Sequence, residues 1–177
     1  MHLIFQYGSN CLTARLNARG RLDGLAADKG SAQTVDEYEI AFDVWSCGNE
    51  CAAADLIRVP GSGHRARGVL YETSDEGLHR LRVIEGPRYE ESGIRVRNLR
   101  GESKEALTFL VKPRDRQPGL WTSAKYVTSI VKGLRDHKVP EEYTQHVLDV
   151  AIRTNEKAEN RVAAKAQLTS LERLRVL

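Results

Sequence analysis

No apolar stretch in this sequence approaches the roughly 20 residues that a membrane-spanning helix requires, so no span and no membrane partner is expected. The first residues, Met1-His2-Leu3-Ile4-Phe5, lack the basic flank and long apolar core of a secretion signal and read as the start of a strand. Cysteine is sparse: three in 177 residues, an odd number in a chain long enough to bury a proper core without staples. Reduced thiols and a cytoplasmic protein are the expectation. Charge of one sign is also lacking. Lys and Arg interleave with Asp and Glu to a net +3, which calls for neither nucleic acid nor an anionic membrane.

Other absences remove whole classes of chemistry. Cys47 and Cys51 stand four apart with no second Cys pair and no His-x-x-x-His, too few ligands for zinc. Gly61-Ser62-Gly63-His64-Arg65 lacks the Gly-Lys-Ser/Thr of a phosphate loop and reads as a basic turn. Ser9 lacks the glycines of a nucleophile elbow. Cys11 has no assigned base and reads as a wall of whatever pocket forms nearby. No internal repeat or low-complexity tract is present.

What is present reads as strands first and helices last, an α+β arrangement in one domain. Strands are expected at Leu3 to Tyr7, Val35 to Val44, Ala53 to Val59, Arg67 to Glu72, Tyr89 to Asn98 and Ala106 to Lys112. Gly20 to Gly30 reads as irregular. Ser9 or Asn10 is a candidate cap for a brief helix through Leu12 and Leu16. Thr73-Ser74-Asp75-Glu76 starts a helix with an acidic first turn, and Gly86-Pro87 stops it. Another helix covers about Ser123 to His137. Pro140 then opens a stretch to Leu177 without Gly or Pro, filled by one long helix or two abutting ones. Arg153, Lys157, Arg161 and Lys165 recur every four residues, a basic stripe on the last helix that is expected to be a solvated face.

Three separated segments carry candidate chemistry. Tyr7-Gly8-Ser9-Asn10 ends a strand and presents successive backbone N–H groups around a residue without Cβ, a cradle suited to a carboxylate. Taken alone it reads first as a plain turn. Glu85 ends a helix whose apolar residues point inward; partial desolvation there would raise its pKa toward that of a general acid–base. A solvated helix-terminal Glu is the alternative. Tyr126, in the first turn of a late helix, has an apolar ring and a polar tip that fit it to line a pocket.

Together these segments resemble the γ-glutamylcyclotransferase-like family, with its AIG2-like and butirosin-pathway relatives. The matching elements are Tyr7 to Asn10, a strand–helix–Glu-Gly segment followed by Tyr from Gly68 to Tyr89, and Ser123-x-x-Tyr126 … Gly133 … Pro140-x-x-Tyr143. The resemblance covers roughly residues 3 to 150 in the family's order. It implies an α+β fold around a small mixed β-barrel with flanking helices and a long C-terminal helical segment. Residues 1–152 would form the cyclotransferase-like domain and 153–177 a helical extension of it.

The resemblance further implies cleavage of a γ-glutamyl amide by the substrate's own α-amine, releasing 5-oxoproline and an amine or amino acid. Glu85 would be the acid–base group. Gln6, Tyr7, Gly8, Ser9, Asn10 and Tyr126 would bind a small γ-glutamyl substrate. The reaction requires no metal, nucleotide or prosthetic group. A non-catalytic binding or interaction module on the same fold is the alternative, and a homodimer packed through the last helix stays open. Three positions depart from the family pattern: Arg82 replaces Asp, Arg67 replaces a large apolar residue and Thr122 replaces Pro. Arg67 and Arg82 are expected near the site, where their charge would alter its electrostatics.

Overall fold

A computed structural model describes residues 1–176. Five strands close into a mixed barrel in the order β1 (His2–Gln6), β5 (Arg67–Thr73), β2 (Ala27–Thr34), β6 (Tyr89–Asn98) and β7 (Ser103–Val111). All pairs are antiparallel except β1 against β7, the parallel seam that shuts the barrel. A separate hairpin of β3 (Tyr38–Ser46) and β4 (Cys51–Arg58) lies alongside, with β4 against β7 and helix α4 (Glu141–Glu156) against β3.

The burial patterns explain these elements. In β3, Tyr38, Ile40, Phe42 and Val44 alternate inward, the period of a strand with one buried face. In β6 only Ile94 and Val96 are buried, between exposed Arg and Glu side chains. Strand β5 is buried from Gly68 through Tyr71, because one face fills the barrel and the other lies under neighbouring elements. Gly68 is required there, since a Cβ would stand 2.1 Å from the Gln6 carbonyl oxygen on β1.

Several expectations need correction. Residues 27–30 belong to β2 rather than to an irregular segment, and β3 begins at Tyr38, not Val35. Helix α1 (Thr13–Leu16) has no side-chain cap. Ser9 and Asn10 instead lie in a 3₁₀ turn, Ser9–Cys11, and spend their side chains elsewhere. Of the two arrangements expected for the C-terminal stretch, the structure has two helices, α4 and α5 (Arg161–Arg173). The break needs neither Gly nor Pro: Asn160 caps α5 by accepting from the Ala163 N–H at 3.1 Å. The four basic residues therefore straddle a helix end, a turn and a second helix, and form no single stripe. Leu177, the last residue of the proposed extension, lies outside the described residues.

Helix α2 (Asp75–Glu85) starts at Ser74, whose hydroxyl accepts from the Gly77 N–H at 3.2 Å, and ends at Gly86, with φ 78°. Helix α3 (Ala124–Asp136) buries Tyr126, Val127, Ile130, Val131 and Leu134, one apolar face at helical spacing. Thr122, one of the family departures, has a clear role: its hydroxyl donates to the Ala52 carbonyl at 2.8 Å. The buried Asn155 pairs with both its N–H and its C=O, at 2.8 and 3.0 Å. No described helix is long and apolar enough to cross a membrane.

Gly133 sets how closely α3 approaches the start of the chain. A Cβ there would lie 2.3 Å from the Cys11 carbonyl carbon and 2.4 Å from the Leu12 nitrogen, both backbone atoms that cannot rotate away. Gly133→Ala is therefore expected to lower stability by about 1–3 kcal/mol through overpacking. Gly93→Ala, where a Cβ meets open space, is expected to leave the melting temperature unchanged or raised. Thermal unfolding of the two variants beside wild type checks this.

Candidate active site

Glu85 reaches its position through helix periodicity. Leu78 and Leu81 are buried on α2, and Glu85 continues their row at the i+7 and i+4 positions, so its carboxylate follows the apolar stripe inward. Arg82 lies off that stripe and pairs with Glu91 on the outside at 2.7 Å. Opposite Glu85 stands the 3₁₀ turn that follows β1. Asn10 closes the gap: its Nδ2 donates to Glu85 Oε1 at 3.0 Å, while its Oδ1 accepts from Arg21 Nη2 at 2.7 Å.

These groups open onto a cavity of about 380 Å³, walled in part by Ser9, Asn10, Trp45, Glu85, Tyr89 and Tyr126. A narrow recess of about 30 Å³ shares Ser9, Asn10, Glu85, Tyr89 and Tyr126 and reaches Gln6, Tyr7 and Gly8. The structure thus brings Glu85 together with Gln6, Tyr7, Gly8, Ser9, Asn10 and Tyr126. Their side chains differ in what remains available. The Tyr7 hydroxyl is committed to the Phe109 carbonyl at 2.5 Å, so Tyr7 offers only its ring and backbone. Ser9 Oγ accepts from Arg15 Nε at 3.2 Å.

Tyr126 lies edge-on to Phe42, with centroids 6.5 Å apart. Its hydroxyl accepts from the Ala54 N–H at 3.1 Å and lies 3.4 Å from where a Cβ on Gly8 would stand. Burial pushes its pKa up to about 12. Gly8 itself is extended, with φ −97°. Its value is room, not backbone freedom.

Glu85 is half-buried by exposure and enclosed by protein atoms around its carboxylate. Desolvation raises its pKa to about 7, opposed by the Arg21 charge, the Asn10 hydrogen bond and, more weakly, the Arg15 charge. A carboxyl near 7 exchanges a proton readily at neutral pH.

Several expectations about this site change. Cys11 is fully buried beneath the turn rather than in the cavity wall, donating to the Gln6 carbonyl at 3.1 Å, and burial pushes its thiol far up. Arg82 points to the surface. Arg67 lines a different hollow of about 240 Å³ with Tyr143, His64 and His146. Neither departure from the family pattern touches the Glu85 cavity. Arg15, Arg21, Arg88 and the Trp45–Asn49 turn do line it, and none was read as part of the site from the sequence. Lys and Arg total 27, so an arginine by itself is no signal.

A model of the AIG2-like family matches residues 65–147, from just before β5 into α4, a span that holds Glu85, Tyr126 and Tyr143. Residues 65–147 are similar to the AIG2-like family. The AIG2-like match leaves out the turn at Gly8–Asn10, which the fold supplies. The fold is γ-glutamylcyclotransferase-like. It resembles a human protein described as uncharacterized protein LOC79017, with TM-score 0.72 and 23% identity over 82% of this chain and 85% of that one. A protein named gamma-glutamyl cyclotransferase gives TM-score 0.71 and 22% identity, again over 82% of this chain and 85% of that one. YkqA from Bacillus subtilis gives 0.68 and 21% over 90% of this chain and 56% of that one. At these identities the likeness is one of fold. No curated protein matches the sequence.

The raised pKa has a stability consequence. An acid whose folded pKa, about 7, lies above its ordinary value of 4.5 costs no stability while protonated in both states, and costs stability once it ionises in the unfolded chain. The penalty is absent below about pH 4.5, grows through about 7 and is complete above it. Glu85→Gln removes the titration. Relative to wild type it is expected to gain stability as pH rises, by up to about 3 kcal/mol before solvent screening reduces it. Denaturant midpoints of both proteins across that pH range check the sign.

Proposed function

We propose that this protein is a γ-glutamyl cyclotransferase, converting a γ-glutamyl amide into 5-oxoproline and the free amine. The observation that carries the reading is Glu85: a carboxyl with pKa near 7, held by Asn10 across a cavity from the backbone of Gly8 and Ser9. The likeness of fold to a protein named gamma-glutamyl cyclotransferase supports it.

The chemistry follows from what the reaction needs. The substrate's α-ammonium gives a proton to the Glu85 carboxylate. The freed amine attacks the γ-carbonyl carbon, closing a five-membered ring. Because nucleophile and electrophile share one molecule, binding in the ring-closing conformation supplies much of the acceleration. The carbonyl oxygen becomes an oxyanion, received by backbone N–H groups of the turn at Gly8–Asn10, whose first amides have no carbonyl partner within the turn. The C–N bond to the leaving amine then breaks as protonated Glu85 gives its proton to that nitrogen, and the ionised Glu85 takes the second proton from the ring nitrogen and passes it to the released amine, which departs as an ammonium. Each proton removed is thereby returned. Asn10 acts by positioning: it fixes the carboxylate while Arg21 holds the amide's other end. Tyr126 and Tyr89 wall the recess and limit the conformations open to the glutamyl chain.

The test is a panel of γ-glutamyl dipeptides and amides, with 5-oxoproline measured by mass spectrometry. Wild-type kcat/KM is expected to rise with pH through about 7, since the base must be ionised. Glu85→Gln is expected to lower kcat by about 10²–10⁴-fold with the fold intact by circular dichroism. Turnover that persists in Glu85→Gln would remove Glu85 from its role.

A further inference from the structure

Three arginines converge on the Glu85 cavity from three places in the chain: Arg15 in α1, Arg21 in the turn after it, and Arg88 just past the Gly86-Pro87 stop. What they bind is informative. Arg15 donates to Ser9 Oγ and to Asn49 Oδ1, at 3.2 and 3.0 Å. Arg21 donates to Asn10 Oδ1 at 2.7 Å, and Arg88 donates to the Trp45 carbonyl. Every one of these acceptors is neutral. Among the described residues no carboxylate pairs with Arg15, Arg21 or Arg88, and all three share one cavity. The Arg21 Nε is moreover buried with no hydrogen-bond partner, an unspent donor on a residue of the cavity wall.

The charge count then restricts the substrate. Among the described residues lining the cavity, Glu85 alone is acidic against the three guanidinium groups. The γ-glutamyl group brings one carboxylate and one ammonium, which cancel. Even if its carboxylate takes one arginine, two remain without an anion. From this excess we propose that the leaving amine is itself acidic, an acidic amino acid or another amine bearing two anionic groups, received by Arg15, Arg21 and Arg88. Guanidinium groups suit this task because their planar donors meet a carboxylate in pairs. The Trp45–Asn49 turn, tied to Arg15 through Asn49 and to Arg88 through Trp45, forms the wall that fixes them. A cavity of about 380 Å³ is of the size that holds a small ligand of this kind.

This inference rests on the cyclotransferase reading, and the experiment separates the two. Wild type is assayed for 5-oxoproline release from γ-glutamylglutamate, γ-glutamylalanine and γ-glutamylethylamide, whose leaving amines carry two, one and no carboxylates. We expect kcat/KM to fall in that order, by about tenfold or more from first to last. Arg88→Gln should shrink the ratio between first and last; as a ratio within one protein, it is unaffected by partial misfolding. Turnover of all three at similar rates, or a preference for the ethylamide, overturns the acidic leaving group while cyclotransferase activity stands. No 5-oxoproline from any substrate overturns the cyclotransferase reading. Calorimetric titration with free glutamate and free alanine then decides the anion site. Glutamate binding that is lost in Arg88→Gln supports the site; equal or absent binding of both overturns it.

Discussion

The backbone of Cys11 and Leu12 lies directly against Gly133 of α3, and the geometry of the site follows from that approach. A helix carrying any side chain at this point would stand off from the turn after β1. The turn is pinned from other sides as well. The Tyr71 hydroxyl donates to the Cys11 carbonyl at 3.0 Å, and the Cys11 thiol donates to the Gln6 carbonyl at 3.1 Å. Rigid backing of this kind lets a short polar segment face a cavity without collapsing into it. Asn10 projects from the fixed turn and holds Glu85. Preorganised donors and acceptors of that sort reduce reorganisation during reaction.

Two opposed electrostatic effects meet at Glu85. Enclosure raises its pKa, and Arg21, Asn10 and Arg15 pull it down, leaving it near 7. Had desolvation acted alone, the carboxyl would stay protonated and be useless as a base. Had one arginine closed into an ion pair with it, it would stay ionised and return no proton. Asn10 stands between Arg21 and Glu85 and prevents direct pairing, so one amide accounts for both the position and the intermediate pKa. The same separation leaves the guanidinium groups available to a ligand.

Local chemistry was legible where it was strong. Ser74 and Gly86 mark the ends of α2, and the inward stripe from Leu78 through Leu81 points to Glu85, so the helix and its terminal acid are readable from spacing. Strand β2 was not: Ala27-Asp28-Lys29-Gly30 has neither alternation nor β-branched residues, and it is a strand because β5 and β6 pair with it. One helix or two was left open for the C-terminal stretch, because Asn160 is an ordinary polar residue until its side chain is seen capping the Ala163 N–H. Cys11 looked like a pocket residue from its neighbours in sequence, yet it turns beneath them. The three cavity arginines were hidden among many.

The sequence by itself determined the class of fold, the turn after the first strand and the helix that ends in Glu85. These rest on interactions within a few residues, whose periodicity and capping are written in order along the chain. Only the tertiary structure decided that the acid faces the turn, that Arg67 and Arg82 lie elsewhere, and that Arg15, Arg21 and Arg88 share its cavity. Those facts depend on barrel closure and on a helix packed at backbone contact. Residues distant in the chain meet there through geometry that local pattern does not encode.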